Sequence, residues 1–331
     1  MYSVYDYSWM IADEARMGAY VRALQAVVRP GAVVADIGAG TGIFSLIACR
    51  LGARRVYAIE TNEALEVARE LAVENGFADR IVFLQKDARQ VELPEPADVI
   101  VSDLYGALPL FGDRLAVLAD VRSRFLKPGG CMVPCRDRLM VAVVESAELY
   151  ESALGPAKGP LGVTLNAMRA RLRNTTGTDR GSVPLRPENV LSAHGAWATL
   201  NYAMPQPASI AGSVDLSVQR HGTGHGLAVW FESILAEECG FTTAPGHELC
   251  YGRLFLPWSR PVALSAGDCV TIDLWAQPSG DPWGWNTVIE GVSGSREAFK
   301  QSSFLAFAGK LSARSVAGRT VSDLANDREL T

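Results

Sequence analysis

The segment DIGAGTG (36–42) carries three closely spaced glycines, Gly38, Gly40 and Gly42, between a short apolar run and a helical pattern. Glycines at a strand-to-helix turn permit a tight turn and let a ligand approach the backbone at the helix N-terminus. The dinucleotide fingerprint requires its third glycine at position 43, which is isoleucine here. The glycine spacing therefore argues against a nicotinamide dinucleotide.

Carboxylates lie at the ends of three successive predicted strands: Asp36, Glu60 and Asp87. Such acids repel a pyrophosphate but favour a ligand that carries an ammonium, a sulfonium and no phosphate. Glu60 stands where an acid accepts both hydroxyls of a ribose, and Asp87 where one reaches an adenine amine. These positions predict S-adenosyl-L-methionine as the cofactor. The alternative is that GAGTG is only a turn and Glu60 a solvated strand end.

The stretch IVSDLYGALPLFGD (100–113) places two more carboxylates, Asp103 and Asp113, on the loop after the fourth predicted strand. Methyl transfer from a sulfonium is an in-line displacement, so the protein mainly positions groups and arranges charge. An ammonium acceptor must first lose a proton, which a carboxylate can accept. We expect Asp103 to orient a nitrogen acceptor. Asp113 is either a second clamp or an exposed loop acid.

Strand and helix patterns alternate up to about residue 134, which predicts a doubly wound α/β domain. Predicted strands cover 33–36, 55–60, 81–85 and 97–103, and predicted helices cover 9–28, 41–52 and 63–74. After Pro128-Gly129-Gly130 the apolar runs resemble longer antiparallel strands. A polar, helix-like segment at about 147–190 interrupts these strands, so we expect a β-rich second domain with a helical insertion.

Composition excludes several classes of protein. The 331 residues carry a formal net charge of -5, which is unlike the basic footprint of a nucleic-acid binder. The first residues lack the pattern of a signal peptide, and no apolar run approaches the roughly 20 residues of a membrane helix. The 6 cysteines and 4 histidines show no metal-site spacing. We expect a cytoplasmic protein with reduced thiols, no metal, no nucleic-acid partner and no membrane partner.

The chain resembles the protein arginine methyltransferases in several motifs: 36–60, SDLYG (102–106), LKPGGCMVP (126–134), HGLAVWFES (225–233) and FTTAP (241–245). The resemblance implies cofactor-covering helices at 1–30, a Rossmann-like domain at 31–134, a β-barrel domain at 135–312 and a tail at 313–331. It also implies that the segment at 147–190 is a dimerisation arm, and hence a homodimer.

The same resemblance assigns residues to the cofactor. Tyr5, Tyr7 and Met10 would cover it, and an arginine of the N-terminal helix would pair with its methionine carboxylate. Arg16 is the candidate for that arginine, with Arg22 as the alternative. A solvated surface position for Arg16 is the competing interpretation.

The acceptor half departs from the family. The first of the family's two loop glutamates is replaced by Asp103, and the position of the second is Gly112, with Asp113 one residue later. The Thr-His-Trp motif is replaced by LCYG (249–252), where Tyr251 is the candidate to stand near the missing histidine. His225, in a matching strand, is expected to be structural.

These observations predict an S-adenosylmethionine-dependent N-methyltransferase that releases S-adenosyl-L-homocysteine. Because the acceptor motifs are altered, we expect an amine or guanidine on a small molecule or peptide rather than general protein arginine. The alternatives are an O-methyltransferase of a small metabolite and a catalytically silent S-adenosylmethionine-binding partner.

Overall fold

The computed structural model describes residues 2–306, except 111, 180–182, 206, 208, 238, 280 and 281. The predicted tail at 313–331 and the end of the predicted second domain lie outside the described residues. Within the described part, no helix is both long and apolar enough to cross a membrane.

Five parallel strands form the first sheet: β1 Val33–Ile37, β2 Arg55–Glu60, β3 Ile81–Gln85, β4 Ala97–Ser102 and β5 Leu126–Val133. Their order is β3-β2-β1-β4-β5, so the chain reverses its direction of winding between β1 and β4. Ligands bind at such a switch point, beyond the carboxyl ends of the strands. β5 was not among the predicted strands.

Three helices connect these strands: α3 Ile43–Arg50, α4 Ala64–Glu74 and α5 Arg114–Phe125. β1 is buried at every position, which explains why its sequence is almost continuously apolar. The bounds of β1 to β4 agree with the predicted strands to within one residue.

The N-terminal segment forms two helices where one was predicted, α1 Val4–Ala12 and α2 Glu14–Val27. The break is at Asp13, whose backbone is extended and whose side chain accepts a hydrogen bond from the Arg16 amide at 3.0 Å. Aspartate at this position satisfies an amide that the first turn of α2 leaves without a partner. The single helix predicted at 9–28 is wrong, because Asp13 ends α1 and caps α2.

Two antiparallel sheets build the second part of the chain, numbered here from β6 onward. The strands are β6 Arg136–Val144, β7 Gly177–Thr178, β8 Gly195–Asn201, β9 Ile210–Ser217, β10 Gly222–Ala236, β11 Cys239–Thr242, β12 Leu254–Leu264, β13 Cys269–Ala276, β14 Trp283–Glu290 and β15 Arg296–Ser302. One sheet has the order β7-β12-β10-β6-β8, with β11 paired to β10, and the other has the order β15-β14-β13-β9. The expected α/β domain followed by an antiparallel, strand-rich domain is confirmed.

The segment between β6 and β8 contains two short helices, α6 Ala147–Leu154 and α7 Asn166–Leu172. α6 packs Leu149, Tyr150 and Leu154 against the first antiparallel sheet. Beyond it, Leu161, Val163 and Met168 are exposed to solvent. The segment is thus anchored through α6 and presents apolar side chains beyond that helix.

Candidate active site

The glycine loop is held closely between two other parts of the chain. Gly38 and Gly40 both have positive φ, 74° and 53°. A Cβ atom on Gly40 would lie 2.4 Å from the Tyr7 ring of α1, and one on Gly38 would lie 2.3 Å from the Leu104 side chain after β4. Only glycine permits both the backbone conformation and this close approach.

Glu60, at the end of β2, faces the glycine loop. One of its carboxylate oxygens accepts a hydrogen bond from the Gly40 amide at 3.0 Å, and the other accepts one from the Asn62 amide at 2.8 Å. Burial and the Glu60 charge raise the pKa of Tyr7 to about 12, so the phenol stays neutral. Tyr7 and Glu60 therefore both lie close to Gly40 of the glycine loop.

Asp36 lies beneath the loop rather than on the wall of the cavity. It is fully buried, and one carboxylate oxygen accepts a hydrogen bond from the Ser45 hydroxyl at 2.7 Å. The other oxygen has no hydrogen-bond partner among the described residues. Burial raises the pKa of Asp36 to about 7, although the bond from Ser45 opposes this shift.

A cavity of about 550 Å³ opens between α1, the glycine loop and the loop after β4. Of the residues predicted from the sequence, it brings together seven: Tyr7, Met10, Arg16, Gly38, Glu60, Asp103 and Asp113. A smaller adjoining cavity of about 150 Å³ contains Asp87 beside Lys86 and Glu60. Gly40, Gly42 and the alternative arginine Arg22 are absent from the described lining of both cavities.

A second large cavity, of about 470 Å³, lies on the other side of Asp103 and includes Tyr251. Tyr5 lines this second cavity and not the first, which differs from its expected place over the cofactor. Tyr2, Met10, Asp103 and Tyr105 line both cavities. Asp103 therefore stands at the boundary between the two spaces.

Arg16, Asp103 and Tyr251 form a compact polar cluster. The Arg16 Nε donates to Asp103 Oδ2 at 2.7 Å, and a terminal guanidinium nitrogen contacts the same oxygen. The Tyr251 hydroxyl donates to Asp103 Oδ1 at 2.6 Å, and it accepts from the Arg16 Nε at 2.9 Å. Burial alone would lower the pKa of Arg16, but Asp103 and Tyr251 raise it above its ordinary value.

Asp113 lines the first cavity but is not part of this polar cluster. Its side chain is 68% exposed and pairs with Arg89 at 3.2 Å, while Arg89 also binds Asp87 at 2.7 Å. Gly112 has a φ of 51°, and a Cβ atom there would meet no described residue within 4 Å. In this arrangement Asp103 reaches the cluster and Asp113 does not.

A buried network behind Asp103 was not predicted. The Tyr105 hydroxyl donates to Asp137 at 3.0 Å, and the Tyr202 hydroxyl donates to the other carboxylate oxygen at 2.5 Å. The Arg114 guanidinium packs against both tyrosine rings and lies 3.5 Å from the same carboxylate. Tyr105 lies in the SDLYG motif, but no local pattern links it to the other three residues, because the four come from separate segments of the chain.

Two other features complete the description. The Cys250 amide donates to Asp13 at 2.8 Å, which joins the break between α1 and α2 to the loop that carries Tyr251. His225 is buried in β10, as expected for a structural residue. Among the described residues, no group of three or more histidine, cysteine or acidic side chains could hold a metal ion.

Comparison with known proteins finds similarity to methyltransferases. The ribosomal protein L11 methyltransferase family (PrmA) matches residues 19–134. Protein arginine N-methyltransferase 6 of Xenopus tropicalis is 30% identical over 282 residues, covering 82% of this chain and 83% of that protein. The ribosomal protein arginine N-methyltransferase rmt3 of Schizosaccharomyces pombe is 28% identical over 228 residues, covering 65% of this chain and 42% of that protein.

Two solved structures share the fold. Protein arginine methyltransferase 10 of Arabidopsis thaliana superposes with a TM-score of 0.78 at 23% identity, covering 91% of this chain and 97% of that one. The Trypanosoma brucei PRMT1 enzyme–prozyme complex with AdoHcy gives a TM-score of 0.80 at 20% identity, covering 89% and 97%. The resemblance inferred from the sequence motifs is confirmed: the chain belongs to the protein arginine N-methyltransferase family of S-adenosylmethionine-dependent methyltransferases.

Proposed function

We propose that the protein transfers a methyl group from S-adenosylmethionine to a nitrogen atom of a cationic side chain on a peptide or protein. The observation that carries the proposal is the position of Asp103 between two cavities. The first cavity adjoins the glycine loop and the second adjoins Tyr251. The Asp103 carboxylate would therefore border both the methyl donor and the methyl acceptor.

The residues around the first cavity fit a cationic nucleoside. The Gly38 backbone and the Glu60 carboxylate line it, and Asp87 lies in the adjoining smaller space. When bound there, S-adenosylmethionine supplies an activated methyl group on a sulfonium. Glu60 would hold the ribose hydroxyls, Asp87 would face the adenine, and Arg16 would pair with the methionine carboxylate. Tyr7 and Met10 of α1 would cover the ligand.

On the acceptor side, Asp103 would orient the nitrogen and accept a proton from it, which frees the nitrogen lone pair. The methyl group would then pass to that nitrogen as its bond to sulfur breaks and S-adenosylhomocysteine leaves. Both oxygens of Asp103 are already held, one by Arg16 and the other by Tyr251. Pairing of Arg16 with the cofactor carboxylate would release one oxygen for the acceptor. Tyr251 would keep the second oxygen fixed and so set the direction of the first.

The nature of the acceptor follows from the relatives and the loop together. The relatives are named protein arginine N-methyltransferases, and they give no support to a small molecule in preference to a protein. The loop offers one carboxylate at the cluster, because Asp113 pairs with Arg89 instead. We therefore infer that a guanidine or amine held by one acid is the acceptor.

The test compares Asp103→Asn with the wild-type protein, using methyl-labelled S-adenosylmethionine and a basic peptide that contains arginine and lysine. We expect turnover to fall about a hundredfold or more, because general-base and orienting groups contribute roughly that factor. Affinity for S-adenosylhomocysteine should stay within about threefold. Asp215→Asn, a carboxylate that binds Thr271 in the second part of the chain, is the matched control. Equal turnover by the two variants would contradict the assignment of Asp103.

A second candidate function is that of a catalytically silent partner that binds S-adenosylmethionine. The absence of a carboxylate at Gly112 and the engagement of both Asp103 oxygens favour it. This candidate predicts normal binding of S-adenosylhomocysteine with no methyl transfer by the wild-type protein. Methyl transfer that depends on Asp103 would exclude it.

We also propose that the chain forms a homodimer through the segment 147–190. Leu161, Val163 and Met168 are exposed apolar side chains on this segment, and burial in a partner would remove them from water.

A further inference from the structure

The second cavity has the chemistry of a site for positive charge. Among its described lining residues, Asp6 and Asp103 are acidic, and none is lysine, arginine or histidine. Its walls also contain five aromatic side chains: Tyr2, Tyr5, Trp9, Tyr105 and Tyr251. Aromatic faces and carboxylates are the groups that attract ammonium and guanidinium ions.

The outer part of this cavity is formed by one face of α1. Tyr5 and Trp9 are one helical turn apart, so their side chains are neighbours, with ring centroids 6.4 Å apart in an edge-to-face arrangement. Tyr5 is 68% exposed and Trp9 is 63% exposed. Neither ring is therefore needed to fill the core, and both offer open surface at the entrance.

The start of α1 holds these rings in place. The Ser3 amide donates to the Asp6 carboxylate at 2.7 Å, and the Asp6 amide donates to the Ser3 hydroxyl at 3.2 Å. This reciprocal cap fixes the first turn of the helix and places a negative charge beside Tyr5 and Trp9. The other end of α1 is fixed because the Arg16 guanidinium binds the Met10 carbonyl at 2.8 Å.

The same helix contributes different side chains to the two cavities, apart from Met10, which lines both. Tyr7 and Ile11 line the first cavity, whereas Tyr5, Asp6 and Trp9 line the second. Tyr5 and Trp9 are exposed whereas Asp103 is nearly buried, so an acceptor in the second cavity that reaches Asp103 would have its outer part beside Tyr5 and Trp9. Asp6 and Asp103, which also line this cavity, carry the same charge.

We propose that the rim of Tyr5, Trp9 and Asp6 is a specificity site for a second cationic side chain of a basic peptide acceptor. This inference rests on the proposed function, since it takes the second cavity as the acceptor side. One cationic group of the peptide would reach Asp103 while a neighbouring one lies against the rings of Tyr5 and Trp9. The rim would therefore select peptides with clustered positive charges.

The test measures peptide binding without methyl transfer. A fluorescein-labelled peptide of arginine, lysine and glycine is titrated with the protein in saturating S-adenosylhomocysteine, and fluorescence anisotropy is recorded. We expect Trp9→Ala to weaken binding about threefold and the double variant Tyr5→Ala/Trp9→Ala to weaken it about tenfold, as expected for exposed cation–π contacts. Trp9→Phe should retain most of the affinity. Val4→Ala removes an exposed side chain of the same helix that lines neither cavity, and it should bind like the wild type.

Methylguanidine separates the rim from the Asp103 end. Methylguanidine is too small to contact both the rim and Asp103. Its own affinity, measured by displacement of the peptide, should therefore be the same for the wild-type protein and for Trp9→Ala. Unchanged peptide affinity in the double variant would overturn the proposal, and so would a wild-type protein that binds no peptide. Peptide binding that depends on Trp9 without any methyl transfer would support the rim while contradicting the proposed activity.

Discussion

Arg16 and Asp103 form a nearly buried ion pair between α2 and the end of β4, with side-chain exposures of 5% and 6%. Two guanidinium nitrogens of Arg16 contact one oxygen of Asp103, and Tyr251 holds the other oxygen. The pair joins the residue proposed for the cofactor carboxylate to the residue proposed for the acceptor. Arg16 would leave Asp103 when a second carboxylate enters the first cavity, which makes acceptor binding depend on the cofactor.

Replacement of Arg16 tests this link. Arg16→Met should weaken S-adenosylhomocysteine binding about tenfold or more, because a charge-assisted hydrogen bond to a carboxylate contributes about 1.5–3 kcal/mol. It should also lower the melting temperature, since Asp103 would remain buried without its cation. Calorimetric titration and thermal unfolding measure the two effects. Arg22→Met is the control, because Arg22 lines neither cavity; the same loss of affinity in both variants would contradict the role of Arg16.

The glycine loop gives a second prediction with a closely matched control. Gly40→Ala places a Cβ atom 2.4 Å from the Tyr7 ring, whereas Gly76→Ala meets nothing within 4 Å at a similar φ of 71°. Both variants should lose about 1–2 kcal/mol of stability from the left-handed backbone. Gly40→Ala alone should lose S-adenosylhomocysteine affinity, by about tenfold or more, because α1 must move away from the loop. Equal affinity in the two variants would show that contact between Tyr7 and the loop is not needed for binding.

Asp36 should make stability depend on pH. Its pKa is raised from 3.8 to about 7 by burial, so the folded protein holds this proton where the unfolded chain has lost it. Between about pH 4 and 7 the unfolded state binds fewer protons, and the contribution of Asp36 to stability therefore falls as the pH rises. Asp36→Asn keeps an oxygen for the Ser45 hydroxyl and removes the titration. The variant should lose this slope and be more stable than the wild type at pH 8, as measured by chemical unfolding in a series of buffers; parallel slopes in the two proteins would rule out a raised pKa.

The arm provides a fourth prediction, on assembly. Leu161→Asp with Met168→Asp should convert a dimer to a monomer, because two charges would have to be buried in the interface. Light scattering at micromolar concentration reports the mass. Val292→Asp, at an apolar residue with 69% exposure in the turn after β14, should leave the dimer intact. A wild-type protein with the mass of a monomer would remove the proposal.

Most residues of the proposed cofactor site could be predicted from the sequence because they lie at the ends of successive strands. The glycines follow β1, Glu60 ends β2, and Asp87 follows β3, so strand ends in the chain correspond to one edge of the sheet. The bounds of β1 to β4 were also predicted to within one residue. Asp36 is the exception, since the last residues of a buried strand alternate between its faces and Asp36 points beneath the loop.

The acceptor half could not be predicted in the same way. Arg16 and Asp103 are 87 positions apart in the chain, and Asp103 and Tyr251 are 148 apart. Their meeting depends on how α2 and the second part of the chain pack on the sheet. The direction of Asp113 depends on Arg89, and the network around Asp137 depends on four separate segments. None of these relations leaves a local pattern.

The most direct test of the central claim is single-turnover methyl transfer, in which the wild-type protein and methyl-labelled S-adenosylmethionine are mixed with a basic peptide that contains arginine and lysine. The peptide is then analysed by mass spectrometry and the labelled residue is identified. We predict one labelled methyl group on a side-chain nitrogen of the peptide, formed by the wild type and lost in Asp103→Asn. Tight binding of S-adenosylhomocysteine, together with an unlabelled peptide, would contradict the account.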